Sequence, residues 1–258
     1  MFWTQYSEQI ILNVLRGITA QAPTSIFAAA YISNPGNAGG GTEVSYTGYA
    51  RQPLVFSPPE TSLGTASIVN VSDIPFPTSP SAAGTITHFA VKDSLTGGNT
   101  LAFVTLDEPI VVSAGVAPLL LAGEWRYQSS GNFSTSFRAR CLNWLRGINI
   151  EGISPHVALF NGNPDGGGAE LSGGGYARYP VTFAPPAVQP SGQTMITNSA
   201  DAVGPRATSP WGTWAFTAIY DAASTGEPVA YLQRDESRIM GAGSATIIDA
   251  GALSVSLN

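Results

Sequence analysis

The sequence predicts a mainly β protein, two tandem β-sandwich domains of jelly-roll type, each preceded by one short α-helix. Three observations carry that reading. The 29 glycines and 19 prolines are nearly one residue in five. They exclude a helical bundle or coiled coil, because Gly and Pro are the two worst helix residues. The remaining apolar residues fall in short runs between Gly, Pro and Asn turns, the pattern of sandwiches and barrels. Finally, the chain is written twice. Leu12-Asn13-Val14-Leu15-Arg16-Gly17-Ile18 returns as Leu142-Asn143-Trp144-Leu145-Arg146-Gly147-Ile148. Asn34-Pro35 returns as Asn163-Pro164, and Gly48-Tyr49-Ala50-Arg51 as Gly175-Tyr176-Ala177-Arg178. Gly84-Thr85 with Asp93 matches Gly212-Thr213 with Asp221, and Ala122-Gly123 matches Ala250-Gly251. The offset stays between 127 and 130, so insertions are small. Units of that size can each bury a core, which predicts domains over residues 1–127 and 134–258 joined by a linker at 128–133.

Each element has a local reason. Ser7 is the expected N-cap of the first helix, Ile10, Ile11, Val14 and Leu15 share one face, and Gly17 closes it. In the second copy Ser134 or Ser136 precedes Phe137, Cys141, Trp144 and Leu145, and Gly147 closes the helix. Cys141 reads as a small core hydrophobe on that face. Strands are expected over 26–32, 49–56, 67–71, 85–91, 101–106, 110–112 and 116–121. The second copy repeats them over 156–161, 178–183, 194–197, 213–220, 229–233, 245–248 and 252–257.

Composition excludes several function classes. Only 11% of residues are charged, against roughly 25% in an ordinary domain. With a net charge of −6 and Lys92 as the single lysine, no basic patch for nucleic acid can form. Hydrophobic content of 43% excludes a disordered chain. The N-terminus lacks a basic region and is interrupted by Glu8, unlike a signal peptide. No run approaches the roughly 18 apolar residues of a membrane span. One cysteine excludes an internal disulfide and any multi-cysteine metal site, and fits a protein made in a reducing cytoplasm.

Catalytic signatures are missing: there is no Gly-x-Ser-x-Gly, His-Glu-x-x-His, phosphate loop or calcium loop. The glycine clusters at 39–41, 166–168 and 173–175 do not follow a strand and open a helix, so they read as surface loops. His88 lies in a strand where the second copy has Phe216, and His156 has no second histidine to share a metal. Both read as structural. Asp107-Glu108 and Asp235-Glu236 are sequence neighbours and would point to opposite faces of a strand, unlike the converging carboxylates of a glycosidase. No catalytic, cofactor or metal residue is assigned, and no enzymatic activity is expected. Where charge is scarce, recurring charges are informative: Arg16/Arg146, Arg51/Arg178 and Asp93/Asp221. Arg51 and Arg178 are expected to be structural staples, planar multi-donor groups bonding loop carbonyls or their own domain's Asp93 or Asp221.

Taken together, several of these blocks resemble one family. They are Asn34-Pro35, Gly48-Tyr49-Ala50-Arg51, Gly84-Thr85-Ile86-Thr87-His88-Phe89-Ala90 with Asp93, and Ala250-Gly251-Ala252-Leu253. The family comprises small virion proteins of tailed phages and prophages, commonly labelled tail-fibre or minor structural proteins, and its members carry one copy. The resemblance spans nearly all of both halves, and the second copy departs from it at Ala215-Phe216-Thr217-Ala218. It implies a non-enzymatic component of the phage virion, assembled in the host cytoplasm, with the major capsid protein or other virion proteins as partners.

The expected role is a capsid cement or decoration protein clamping neighbouring capsid subunits. The alternatives are a tail, baseplate or fibre component, and a carbohydrate-binding module using Trp125, Tyr127, Trp211 and Trp214. A homo-oligomer, a trimer first, would present six similar lobes. Phe2, Trp3 and Tyr6 are too apolar for a solvated tail and, with Trp125 and Tyr127, are the expected interface residues.

Overall fold

The structure, a computed structural model, describes residues 2–129 and 132–257. Met1, Asn258, and Ser130 and Gly131 of the expected linker lie outside the described residues.

The first repeat runs β1 (Phe2–Trp3), α1 (Gln5–Leu12), β2 (Phe27–Tyr31), β3 (Gln52–Pro53), β4 (Glu60–Ser62), β5 (Thr65–Val69), β6 (Ile74–Pro75), β7 (Gly84–Lys92), β8 (Thr100–Val112), β9 (Leu119–Leu120) and β10 (Arg126–Ser129). The second runs α2 (Thr135–Trp144), β11 (His156–Phe160), β12 (Tyr179–Pro180), β13 (Ala187–Val188), β14 (Thr194–Thr197), β15 (Ala202–Arg206), β16 (Gly212–Tyr220), β17 (Pro228–Met240), β18 (Ala245–Ile248) and β19 (Ser254–Ser256). Gly17 and Gly147 end their helical segments at φ of 78° and 85°, a left-handed turn that disfavours residues with a Cβ.

The cap of α1 differs from expectation. Thr4, not Ser7, precedes the first helical residue. Pairing of β1 with β8 brings the chain against that strand, so both hydroxyls find its carbonyls. Thr4 Oγ1 donates to Thr100 O at 2.5 Å and Ser7 Oγ to Leu101 O at 2.8 Å. In α2, Ser134 stands in the place of Thr4 and does both: its Oγ donates to Pro228 O at 2.5 Å and accepts from Phe137 N at 3.0 Å.

All named strand pairs are antiparallel. The first repeat has sheets β1-β8-β7-β2-β3 and β10-β5-β4 with the pair β6-β9, and the second has β12-β11-β16-β17 and β13-β14-β19 with the pair β15-β18. Phe133 bridges Ala230 much as Trp3 pairs with Ala102. These orders establish duplicated antiparallel layers around a long central hairpin; they do not by themselves spell out a jelly roll. The expected strands 49–56 and 178–183 shrink to two residues each, because Pro53 and Pro180 bring no N–H to a ladder. Conversely, 101–106 and 110–112 merge into β8, and 229–233 extends to Met240.

Each merged strand carries the same bulge. His88 faces Thr105 and Ile86 faces Ile110, which leaves residues 106–109 opposite Thr87 alone. Phe216 faces Gln233 and Trp214 faces Arg238, leaving residues 234–237 opposite Ala215. A bulge bearing Asp and Glu, joined by Pro109 in the first repeat, twists and charges an open edge, which blunts edge-to-edge association.

The two repeats exchange their helices. α1 packs on its own β8 and on β14 of the second repeat, while α2 packs on β17 and on β4 and β5 of the first. Gln5 Nε2 donates to Gly192 O at 3.1 Å, and at the related position Gly64 N donates to Thr135 Oγ1 at 3.0 Å. Ala20 and Ile150, equivalent positions of the duplication, bond each other reciprocally at 2.8 and 3.1 Å. A local two-fold axis therefore passes between them. One continuous apolar core spans both repeats.

Glu8 on α1 is fully buried and accepts from Thr194 N of the other repeat at 3.2 Å. Burial pushes its carboxyl above the ordinary value, against the lowering effect of the Thr194 hydrogen bonds. A raised carboxyl gives stability that is present below the unfolded value and lost as pH rises through the folded one. Glu8→Gln is thus expected to raise the melting temperature at pH 7 and to change it little at pH 4. Calorimetry at both values tests this, and a lower melt at pH 7 would refute it.

Candidate functional site

The Gly-Tyr-Ala-Arg motif builds the same polar node in each repeat. Tyr49 and Arg51 both lie just before β3. Tyr49 Oη accepts from Ala30 N of β2 at 3.0 Å and donates to Glu43 Oε1 at 2.9 Å. Arg51 grips Glu43 with Nε at 2.9 Å and a terminal nitrogen at 2.8 Å, and its other terminal nitrogen bonds Ser94 O and Gly97 O, both at 2.7 Å. The second repeat copies this with Tyr176, Arg178 and Glu170 at 2.7–2.9 Å and Thr225 O at 2.5 Å.

The acid partner is Glu43 or Glu170, not Asp93 or Asp221. Those aspartates act one step away. Asp93 accepts from Asn99 N at 2.6 Å and Asp221 from Glu227 N at 2.7 Å, which closes the hairpin loop whose carbonyls the arginine binds. Asp221 also pairs with Arg140 at 3.3 Å. Four donor contacts by a guanidinium that is 8% exposed leave little of Arg51 for a ligand.

The expected interface aromatics divide. Trp3, Trp125 and Tyr127 are buried within the chain and are corrected to core residues. Trp3 lies edge-on to Tyr127 at 5.2 Å and 6.2 Å from Trp144 of the other repeat. Trp211 and Trp214 are buried as well, so none of the four expected sugar-binding aromatics faces solvent. Only Phe2 and Tyr6, at 50% and 42%, are exposed.

His88 is buried, its Nδ1 lies 2.8 Å from Thr87 Oγ1, and burial lowers its pKa. His156 Nδ1 lies 2.8 Å from Ser154 O. The Cys141 thiol is pushed up to about 12 by burial, which leaves it without nucleophilic character.

The surface feature that recurs is a groove beneath each bulged edge. In the first repeat it measures about 920 Å³ and is lined by Val104, Leu106, Asp107, Glu108, Leu119, Leu120 and Trp125. In the second it measures about 600 Å³, with Leu232, Arg234, Asp235, Glu236, Ile247, Ile248 and Leu253 in the corresponding places. The apolar floor includes the exposed Leu119 and Ile247, and the same Asp-Glu pair borders both grooves. Arg234 narrows the second by lying over the Trp214 ring at 3.8 Å, a cation–π contact. Such a trough can take apolar side chains flanked by cationic or N–H groups. The recurrence of Asp-Glu at an offset of 128 was its one signal in the sequence.

A protein-family model described as podophage GP4 fiber I protein gp80 matches the chain twice, over residues 3–128 and 132–256. No curated protein matches it. The chain belongs to that family, as a tandem duplication of its unit.

Proposed function

We propose that this duplicated member of the podophage fibre family is a non-enzymatic structural part of a phage fibre. It holds two like segments of neighbouring virion proteins, one in each groove. The observation that carries this reading is the recurrence of an acid-bordered apolar groove at equivalent positions of the two repeats. A local two-fold relation presents one contact twice and makes the chain a bridge. The capsid-cement reading rests on size and compactness alone, whereas the family description favours the fibre. A trimer of such chains would offer six grooves, and light scattering on the purified protein tests that assembly.

The reading is tested with Leu119→Arg and Ile247→Arg, which place a cation on each exposed floor. Each single variant is expected to lower incorporation into particles several-fold, and the double variant to abolish it, with melting temperatures within a few degrees of the parent. Normal incorporation of the double variant would overturn the reading.

A further inference from the structure

We infer that a pocket on the second repeat, at its seam with the first, binds a neutral sugar residue of a glycan. The argument rests on a difference between two otherwise equivalent places. In each repeat the face of the large sheet turned away from the main core carries a small aromatic cluster. In the first repeat Phe2 lies on Phe103 at 5.4 Å between ring centroids, and Phe103 is only 3% exposed. In the second, Asn132 occupies the place of Phe2 and Tyr231 that of Phe103. The backbone is unchanged in this respect: Tyr231 N donates to Asn132 O at 2.7 Å, as expected for the same pairing. The missing ring leaves Tyr231 half-buried beside a pocket of about 410 Å³, within the roughly 300–1,000 Å³ of ligand sites.

The groups that replace the lost ring suit a polyol. Phe216 and Tyr231 offer ring surface from adjacent strands, as their registers opposite Gln233 and Ala218 require. An aromatic face packs against the C–H face of a pyranose. Gln233, where the first repeat has Thr105, brings an amide with both donor and acceptor to the same wall. Asp165, in the 3-10 turn Pro164–Gly166, brings a carboxylate. It accepts from Thr135 Oγ1 at 3.1 Å and from the Tyr231 hydroxyl, and its remaining lone pairs are open to sugar hydroxyls. Burial and the nearby Asp165 both push the Tyr231 hydroxyl upward, so that phenol stays protonated. Gly64 of the first repeat closes the far wall, held there by Arg138. Asp165 and the Arg138 guanidinium line the same pocket and offset each other's charge, which argues for a neutral sugar.

The experiment uses the whole chain and does not depend on the fibre reading. Saturation-transfer NMR is recorded with the methyl glycosides of glucose, galactose, mannose, rhamnose and N-acetylglucosamine, and the protein is run on an immobilised glycan array. At least one probe is expected to bind. Asn132→Phe, which copies the first repeat, is expected to weaken that binding at least tenfold without lowering the melting temperature. Gln233→Ala, at an exposed position, is expected to weaken it at least fivefold and guards against a folding artefact in the first variant. Silence across both the glycosides and the array overturns the proposal, as does binding that survives Asn132→Phe at full strength.

Discussion

Replacing Trp3 with alanine is expected to destabilise the whole chain by about 3–5 kcal/mol, the usual cost of deleting a buried Phe or Trp ring. That is a large share of the roughly 5–15 kcal/mol that holds a domain folded. The indole has no exposed surface and stands between Tyr127 of its own repeat and Trp144 of the other. Its loss leaves a cavity where the two repeats meet. Because one core serves both repeats, urea unfolding should remain a single transition shifted to lower denaturant. Phe2→Ala, next in sequence but half-exposed, should cost about 1 kcal/mol or less. A Trp3→Ala protein within 1 kcal/mol of the parent would show that the ring is not part of the shared core. Removing residues 1–6 is likewise expected to destabilise the chain, since that deletion takes out a core tryptophan and a strand of the large sheet.

Arg51→Met is expected to cost a further large amount, about 3–5 kcal/mol, because it strands a carboxylate that the protein has taken out of water. Its pH dependence is the sharper test. In the parent, burial raises the Glu43 carboxyl, but the Arg51 hydrogen bonds and charge and the Tyr49 hydroxyl outweigh it, so the group sits below its ordinary value. A depressed carboxyl contributes stability that is present above the unfolded value and lost as pH falls through the folded one. Without Arg51, burial, the largest influence, is opposed only by the Tyr49 hydroxyl and the Lys92 charge, so the carboxyl is expected to rise and the sign to invert. The variant should then gain from Glu43 protonation as pH falls from 7 toward 4, where the parent gains nothing. Melting curves across that range for Arg51→Met, Glu43→Gln and the double variant form a cycle. Parallel pH profiles for parent and Arg51→Met would refute the assignment.

Much of the fold class was legible along the chain. Gly17 and Gly147 marked the ends of the helical segments because positive φ is a local demand. Residues 194–197 and 245–248 were readable as strands because the short apolar runs are bounded by turns. The duplication was legible because it is a property of sequence alone. The bulged stretches at 106–109 and 234–237 broke the pattern, since a charged bulge looks like a turn until the strand on its far side is seen to continue. Asp93 was a reasonable first partner for Arg51, being the recurring acid. Glu43 recurs as Glu170, but at the edge of a glycine-rich loop where alignment of the copies slips.

The sequence by itself determined that this protein is a β-rich duplication with structural arginines and no recognisable catalytic set. Only the tertiary structure decided that Trp3, Trp125 and Tyr127 are core, that the helices are exchanged across a local two-fold, and that paired grooves lie beneath the bulges. The physical reason is one of range. Turns, caps and strand periods arise from neighbours along the chain. Burial of the Trp3 ring is settled by Tyr127 and Trp144, more than a hundred residues along the chain, and the choice of Glu43 by Arg51 by how the loop between β2 and β3 folds back under the β7–β8 hairpin.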